Sequence, residues 1–116
     1  MTESRFLDTN ILLYLYDRRD ERKRRRAAEI FRDCWEAKTL VISTQVIPEF
    51  YSPGTRKLGL DSSRAHELVA DFCHLSVVNV GCSHILRATE IERRFAVSFW
   101  DALILSAAFR WRIRFV

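Results

Sequence analysis

Short apolar runs and longer stretches of three-to-four periodicity take turns along this chain. Arg5-Phe6-Leu7 is a brief apolar run that stops on Asp8. It passes at once into Ile11-Leu12-Leu13-Tyr14-Leu15-Tyr16, so a strand followed by a helix is predicted. Asp17-Arg18-Arg19-Asp20 is a polar turn, and Asp20 is a good cap for a helix running through Ala37. Its apolar positions Ala27, Ala28, Ile30, Phe31, Cys34 and Trp35 fall on one face. Thr39 to Ser43 is a short buried strand. Thr44 then caps a helix from Gln45 to about Lys57, with Pro48 in its first turns, where a missing N–H does limited harm. Ser52-Pro53-Gly54 is a point where that helix bends or ends early. Asp61 caps a helix from Ser62 to about His74. Ser76 to Val80 is a third strand, and helices follow from Ser83 to about Phe95 and from Ser98 through about Trp111. Arg112 to Val116 closes the chain as a fourth strand.

Strands separated by pairs of helical segments imply an α/β fold, with a parallel sheet covered by helices on both faces. In such sheets the chemistry sits beyond the carboxyl ends of the strands. Asp8 occupies such a place.

The composition narrows the class. The chain has 116 residues, the length of one domain, and 48% of them are hydrophobic, enough for a core. With 29% charged residues, three glycines and two prolines, it does not have the make-up of a disordered chain. No apolar run approaches the roughly 20 residues that span a bilayer, so no membrane association is expected. Met1-Thr2-Glu3-Ser4 does not resemble a secretory leader. Cys34, Cys73 and Cys82 are odd in number and widely spaced, which fits free thiols in a reducing cytoplasm.

The net charge is +4 and the isoelectric point about 9.3, nearly all of it from arginine. That balance tilts towards a polyanionic partner, since guanidinium forks match phosphate geometry. Arg22-Lys23-Arg24-Arg25-Arg26 stands at the start of a helix, where cations oppose the helix dipole. It reads either as a solvated helix face or as a phosphate-binding patch.

Three acids carry the candidate chemistry. Asp8 follows the first strand, Glu49 enters the helix after the second, and Asp101 begins a late helix that is apolar almost all round. Each has an ordinary alternative. Asp8 alone reads equally as a turn residue, and Glu49 as a carboxylate favouring the helix dipole. Asp101 reads as part of a capping box, Ser98-x-x-Asp101. If the late helix is buried, that carboxylate is costly unless capped, paired or bound to metal. Together the three fall on one side of a parallel sheet. Carboxylates gathered there repel one another, and a hard divalent ion such as Mg²⁺ relieves the conflict. Water on such an ion attacks phosphodiesters.

Leu7-Asp8-Thr9-Asn10, Gln45-Val46-x-x-Glu49-Phe50-Tyr51 and Ser98-Phe99-Trp100-Asp101-Ala102-Leu103-Ile104 resemble the successive motifs of PIN-domain nucleases. The nearest subgroup is the VapC-type toxins of bacterial toxin–antitoxin pairs. The resemblance covers almost the whole chain and implies one three-layer domain over residues 1–116. Its parallel sheet would be ordered 3-2-1-4, with a fifth strand expected to be missing. It implies an endoribonuclease toxin dependent on Mg²⁺, with Mn²⁺ as a substitute. Asp8, Glu49 and Asp101 fall on the catalytic, metal-holding positions. Thr9 and Asn10 match residues that support the first acid, Thr9 through its hydroxyl. RNA, a cognate antitoxin and a second copy in a homodimer are the implied partners, in the cytoplasm. Arg18, Arg19, Arg22, Arg24 and Arg25 are candidates for RNA phosphates. The family continues into a Thr/Ser-x-Asp segment with a fourth acid, whereas this sequence stops at Val116. The alternative function is therefore a truncated, weak or inactive homologue that binds RNA or an antitoxin without cutting.

Other chemistries find little support. His66, His74 and His84 lack metal-ligand spacing and read as surface or packing residues. There is no Gly-rich phosphate loop and no serine nucleophile elbow. A phospho-accepting receiver domain would need an acidic pair near the first strand and a late lysine, and the sequence has neither.

Overall fold

The computed structural model describes residues 4–108 and 113–115. In chain order the elements are β1 (Ser4–Phe6), α1 (Thr9–Tyr14), α2 (Glu21–Glu36), β2 (Leu40–Ser43) and α3 (Val46–Arg56). After them come α4 (Ser62–Cys73), β3 (Ser76–Val78), α5 (Cys82–Arg94), α6 (Phe99–Ala108) and β4 (Ile113–Phe115). The described strands form one sheet in the order β3-β2-β1-β4, and every pairing is parallel. The fold is the expected α/β arrangement, with β1 inside the sheet. The last predicted turn of α6, towards Trp111, lies outside the described residues.

Burial explains why these strands form. All four positions of β2 are buried, so both of its faces are covered by helices, as befits a parallel sheet. Phe6, Leu7, Leu12, Ile42 and Phe50 are closed to solvent, and α2 and α4 add Cys34, Leu68 and Phe72 to the same core. Phe50 stands edge-on to Tyr16 and to Phe72, at 5.7 Å and 5.0 Å between ring centres. A smaller cluster of Ala88, Ala102 and Leu103 joins α5 to α6. Val80 packs against both clusters, and Ile104 reaches the larger one.

The helix ends follow the expected capping only in part. The Asp20 carboxylate accepts from the Lys23 N–H at 3.1 Å and starts α2 as predicted. At its other end, Lys38 N–H donates to Trp35 C=O and Thr39 N–H to Cys34 C=O. This paired closure puts Lys38 in the left-handed region at φ 57° and turns the chain into β2. Thr44 does not cap α3. Its hydroxyl accepts from Val80 N–H at 3.1 Å while its own N–H donates to Val78 C=O, which rivets the end of β2 to the end of β3.

Ser52-Pro53-Gly54 does not end α3, which continues to Arg56. Proline at position 53 removes one bond to the Glu49 carbonyl, and the next turn recovers with Lys57 N–H donating to Pro53 C=O. Gly54 is buried, and a Cβ there would stand 3.2 Å from the Leu60 side chain. Its missing side chain lets the following loop close over the helix. Cys34, Cys73 and Cys82 are free.

Candidate active site

The site begins where β1 stops. Leu7 is buried, and the backbone at Asp8 is extended (φ −72°, ψ 154°), so Asp8 is the cap of α1. Its Oδ1 accepts from Thr9 N–H at 2.8 Å, and Asn10 Nδ2 stands 3.5 Å from Oδ2. The Asp8 side chain lies at the surface while Thr9 is 8% exposed.

The Thr9 hydroxyl donates not to Asp8 but to Glu49 Oε2, at 2.7 Å and forty residues along the chain. This corrects the expectation that the hydroxyl supports the first acid. Thr9 supports that acid through its backbone and the second acid through its side chain. Glu49 reaches this place because α3 starts directly after β2, the parallel neighbour of β1. Val46 and Phe50, one helical turn apart, are buried and anchor α3 on the core. The intervening Glu49 is left half-buried beside α1. Its second oxygen, Oε1, accepts from Gln45 Nε2 at 3.3 Å. Each oxygen of the two carboxylates thus has one donor, and all are on the carboxyl side of the sheet.

Gln45 was not singled out from the sequence as a site residue. The available signal was its spacing from Glu49, since i and i+4 meet on a helix face.

Asp101 is placed differently. It lies in the first turn of α6, where its N–H donates to Ser98 Oγ at 3.1 Å, one half of the expected capping box. The helix is not buried all round. Ala102, Leu103 and Ser106 are buried, whereas Trp100 and Leu105 are 58% and 42% exposed. The Ser106 hydroxyl ties α6 to α5 through His84 C=O at 3.0 Å. The Asp101 side chain is itself exposed, so the desolvation cost expected of it does not arise. The helix α6 packs chiefly on α5, whereas α1 and α3, which carry Thr9 and Glu49, pack on each other. Among the described residues, no three His, Cys, Asp or Glu side chains converge closely enough to hold a metal ion. Of the three expected carboxylates, Asp8 and Glu49 are joined through Thr9, and Asp101 lies on a different pair of packed helices. In chemistry the donors fit a hard divalent ion, being carboxylate oxygens with fixed orientations at Asp8 and Glu49.

The arginines divide into held and unheld. Arg19 forks Asp17 at 2.9 Å and 3.2 Å and keeps its carboxyl below the usual range. Arg24 forks Glu21 and Arg25 reaches it at 3.4 Å. That pairing, with Arg24 foremost, lowers the Glu21 pKa to about 2. The acid in the first turn of α2 therefore offsets part of the cationic run, which local stability was not expected to explain. Arg18 and Arg22 are exposed, and among the described residues no ion pair engages either.

The three histidines match the packing expectation. His74 Nδ1 lies 2.7 Å from Ala70 C=O, His84 Nδ1 accepts from Gly81 N–H, and His66 is exposed.

Comparison with known proteins bears on the fold and the family. The structure superposes on crystalline VapC20 of Mycobacterium tuberculosis, a sarcin–ricin-loop-cleaving toxin, with a TM-score of 0.71. The match covers 92% of this chain and 82% of that one, at 23% identity, a likeness of fold. No curated protein matches the chain significantly. The sequence pattern of the PIN domain matches residues 5–116, nearly the whole length. The chain belongs to the PIN domain family.

Proposed function

We propose that this chain is an endoribonuclease toxin of the VapC type, which cleaves RNA phosphodiester bonds with the help of Mg²⁺ or Mn²⁺. The observation that carries the proposal is the joining of Asp8 and Glu49 through Thr9 at the carboxyl end of β1. It places two oriented carboxylates where an open parallel sheet exposes its ligands. The likeness to the RNA-cleaving toxin VapC20 supports the choice of substrate.

In this proposal Asp8, Glu49 and Asp101 would hold the cation. Once bound, a divalent ion supplies positive charge to the phosphoryl oxygens and acidifies water. The protein's own part is orientation. Thr9, Asn10 and Gln45 fix the carboxylates, so little reorganisation remains when RNA arrives. Of the five candidate arginines, Arg18 and Arg22 have no ion pair among the described residues and are open to phosphates, while Arg19, Arg24 and Arg25 must first leave Asp17 or Glu21.

A cognate antitoxin and a second copy of the chain belong to the same proposal, as does a cytoplasmic setting. An open groove of about 610 Å³ between α2 and α4, lined by Phe31, Trp35, Leu68 and Phe72 among others, supports a protein partner. No described helix is long and apolar enough to cross a membrane.

Purified protein incubated with structured RNAs in Mg²⁺, in EDTA and as Asp101→Ala tests the proposal. Cleavage is expected only for the native protein with Mg²⁺; equal cleavage in all three would falsify it. One observation favours the second reading, binding without cutting: among the described residues no three His, Cys, Asp or Glu side chains converge closely enough to hold a metal ion. RNA retained without turnover under every divalent condition would decide for that alternative.

A further inference from the structure

We propose that Gln45 is a positioning residue, which holds the Glu49 carboxylate in the single orientation that Thr9 shares. The inference rests on the nuclease proposal for its consequence but not for its geometry. Glu49 Oε2 takes the Thr9 hydroxyl at 2.7 Å and Oε1 takes the Gln45 amide at 3.3 Å. Two donors on opposite oxygens stop the carboxylate from turning about its last bond, which one donor alone cannot do.

The amide itself is committed to this task. Among the described residues Gln45 Oε1 is buried without a hydrogen-bond partner. Buried acceptors are rarely left so, and each instance calls for a cause. Turning the amide over would present its oxygen to the Glu49 carboxylate, oxygen against oxygen. The charge on Glu49 therefore dictates the amide's direction, and the carbonyl is left unpartnered as the result. Local rules are broken in this way chiefly where a site requires it.

The backbone beneath Gln45 is equally fixed. Thr44 is bonded to Val78 and to Val80, so Gln45 follows β2 directly after an anchored residue. A continuous line of hydrogen bonds then runs from β3 through Thr44, and from Gln45 through Glu49 and Thr9 to Asp8. The nearby Ser43 hydroxyl is also buried without a partner, so Gln45 is not the only polar group under constraint there.

Gln45→Met keeps the length of the side chain and removes the amide, and Gln45→Ala carries the same comparison if the first variant does not fold. The first measurement needs no metal. In a crystal structure or by side-chain relaxation, Glu49 is expected to populate more than one rotamer in the variant, and its bond to Thr9 to lose occupancy. A single Glu49 rotamer with that bond intact overturns the proposal, whatever the protein's activity.

The second measurement titrates Mn²⁺ by calorimetry into the native protein, Gln45→Met, Glu49→Gln and the double variant. Gln45→Met alone is expected to weaken Mn²⁺ by about tenfold, the size typical of groups that orient metal ligands. In the Glu49→Gln background it is expected to add nothing. An equal loss in both backgrounds overturns the inference, because Gln45 would then act elsewhere. Native protein that takes up no Mn²⁺ counts against the divalent-cation proposal, and the rotamer measurement still decides the role of Gln45.

Discussion

Thr9 and Glu49 are forty residues apart in sequence and 2.7 Å apart in space, hydroxyl to carboxylate. Because Thr9 N–H also holds Asp8, one buried residue couples an exposed acid to a half-buried one from separate βα units. Thr9→Val should therefore lower stability by about 1 kcal/mol, the net worth of such a bond. Thr9→Ser should keep most of it. Urea denaturation checks the energy. If the proposed nuclease function holds, RNA cleavage should fall about tenfold or more in Thr9→Val and little in Thr9→Ser.

The unheld arginines should matter most for RNA. Arg18→Ala and Arg22→Ala should each weaken RNA binding and lower the salt dependence by about 0.7 for each phosphate left without its cation, as for single strands. Arg19→Ala should do less, since Arg19 already forks Asp17. Filter-binding series across salt concentrations measure both quantities. A larger effect from Arg19 than from Arg22 would reverse the assignment.

Glu21 should titrate far below an ordinary glutamate, near its folded value of about 2, chiefly through its hydrogen bond to Arg24. A pKa depressed on folding gives stability that is present above the usual value of 4.5 and lost as pH falls towards about 2. The start of α2 should accordingly fray across that acid window and not on the alkaline side. Carboxyl-carbon NMR follows the titration, and Arg24→Ala should return Glu21 towards 4.5. Because the pair is exposed to solvent, added salt should shrink the difference.

Lys38 occupies the left-handed position after α2 where glycine is the usual occupant. Lys38→Gly should stabilise the fold by about 0.5–1 kcal/mol by removing the Cβ clash, net of the added backbone freedom. That corresponds to a rise in Tm of about 2–4 °C for a domain of this size. Calorimetry should show it without any change in the site.

The sequence revealed order better than contact. The alternation of apolar runs and periodic stretches locates every described strand and helix, with ends that differ by a residue or two. The position of β1 inside the sheet is confirmed, although that order came from family resemblance and not from periodicity. What misled was chemistry whose partner lies far along the chain. Thr44 has the profile of a helix cap, yet its hydroxyl accepts from Val80 N–H, and nothing local to Thr44 announces a donor thirty-six residues on. Thr9 looked like a partner of Asp8 because they are neighbours, while its hydroxyl crosses to α3.

Asp101 misled for another reason. An apolar helix is a statement about composition, and burial depends on which neighbour arrives. In α6, Ala102, Leu103 and Ser106 find α5, while Trp100 and Leu105 remain in solvent. The motifs drew attention to the acids, but only the packing shows that Thr9 joins Asp8 to Glu49 while Asp101 sits on a helix packed chiefly on α5.

The small cluster of Ala88, Ala102 and Leu103 gives that packing a thermodynamic meaning. Its buried members are two alanines and a leucine, with Ile91, Val97 and Phe99 only partly buried against them, whereas the main core holds Phe6, Phe50 and Phe72. On the smaller of the two clusters, the α5–α6 pair is expected to open before the rest. Its amides should exchange with deuterium ahead of those of β2 and α3. Asp101 would then ride on the part of the molecule that loosens first, while Asp8, Thr9 and Glu49 stay on the part that loosens last.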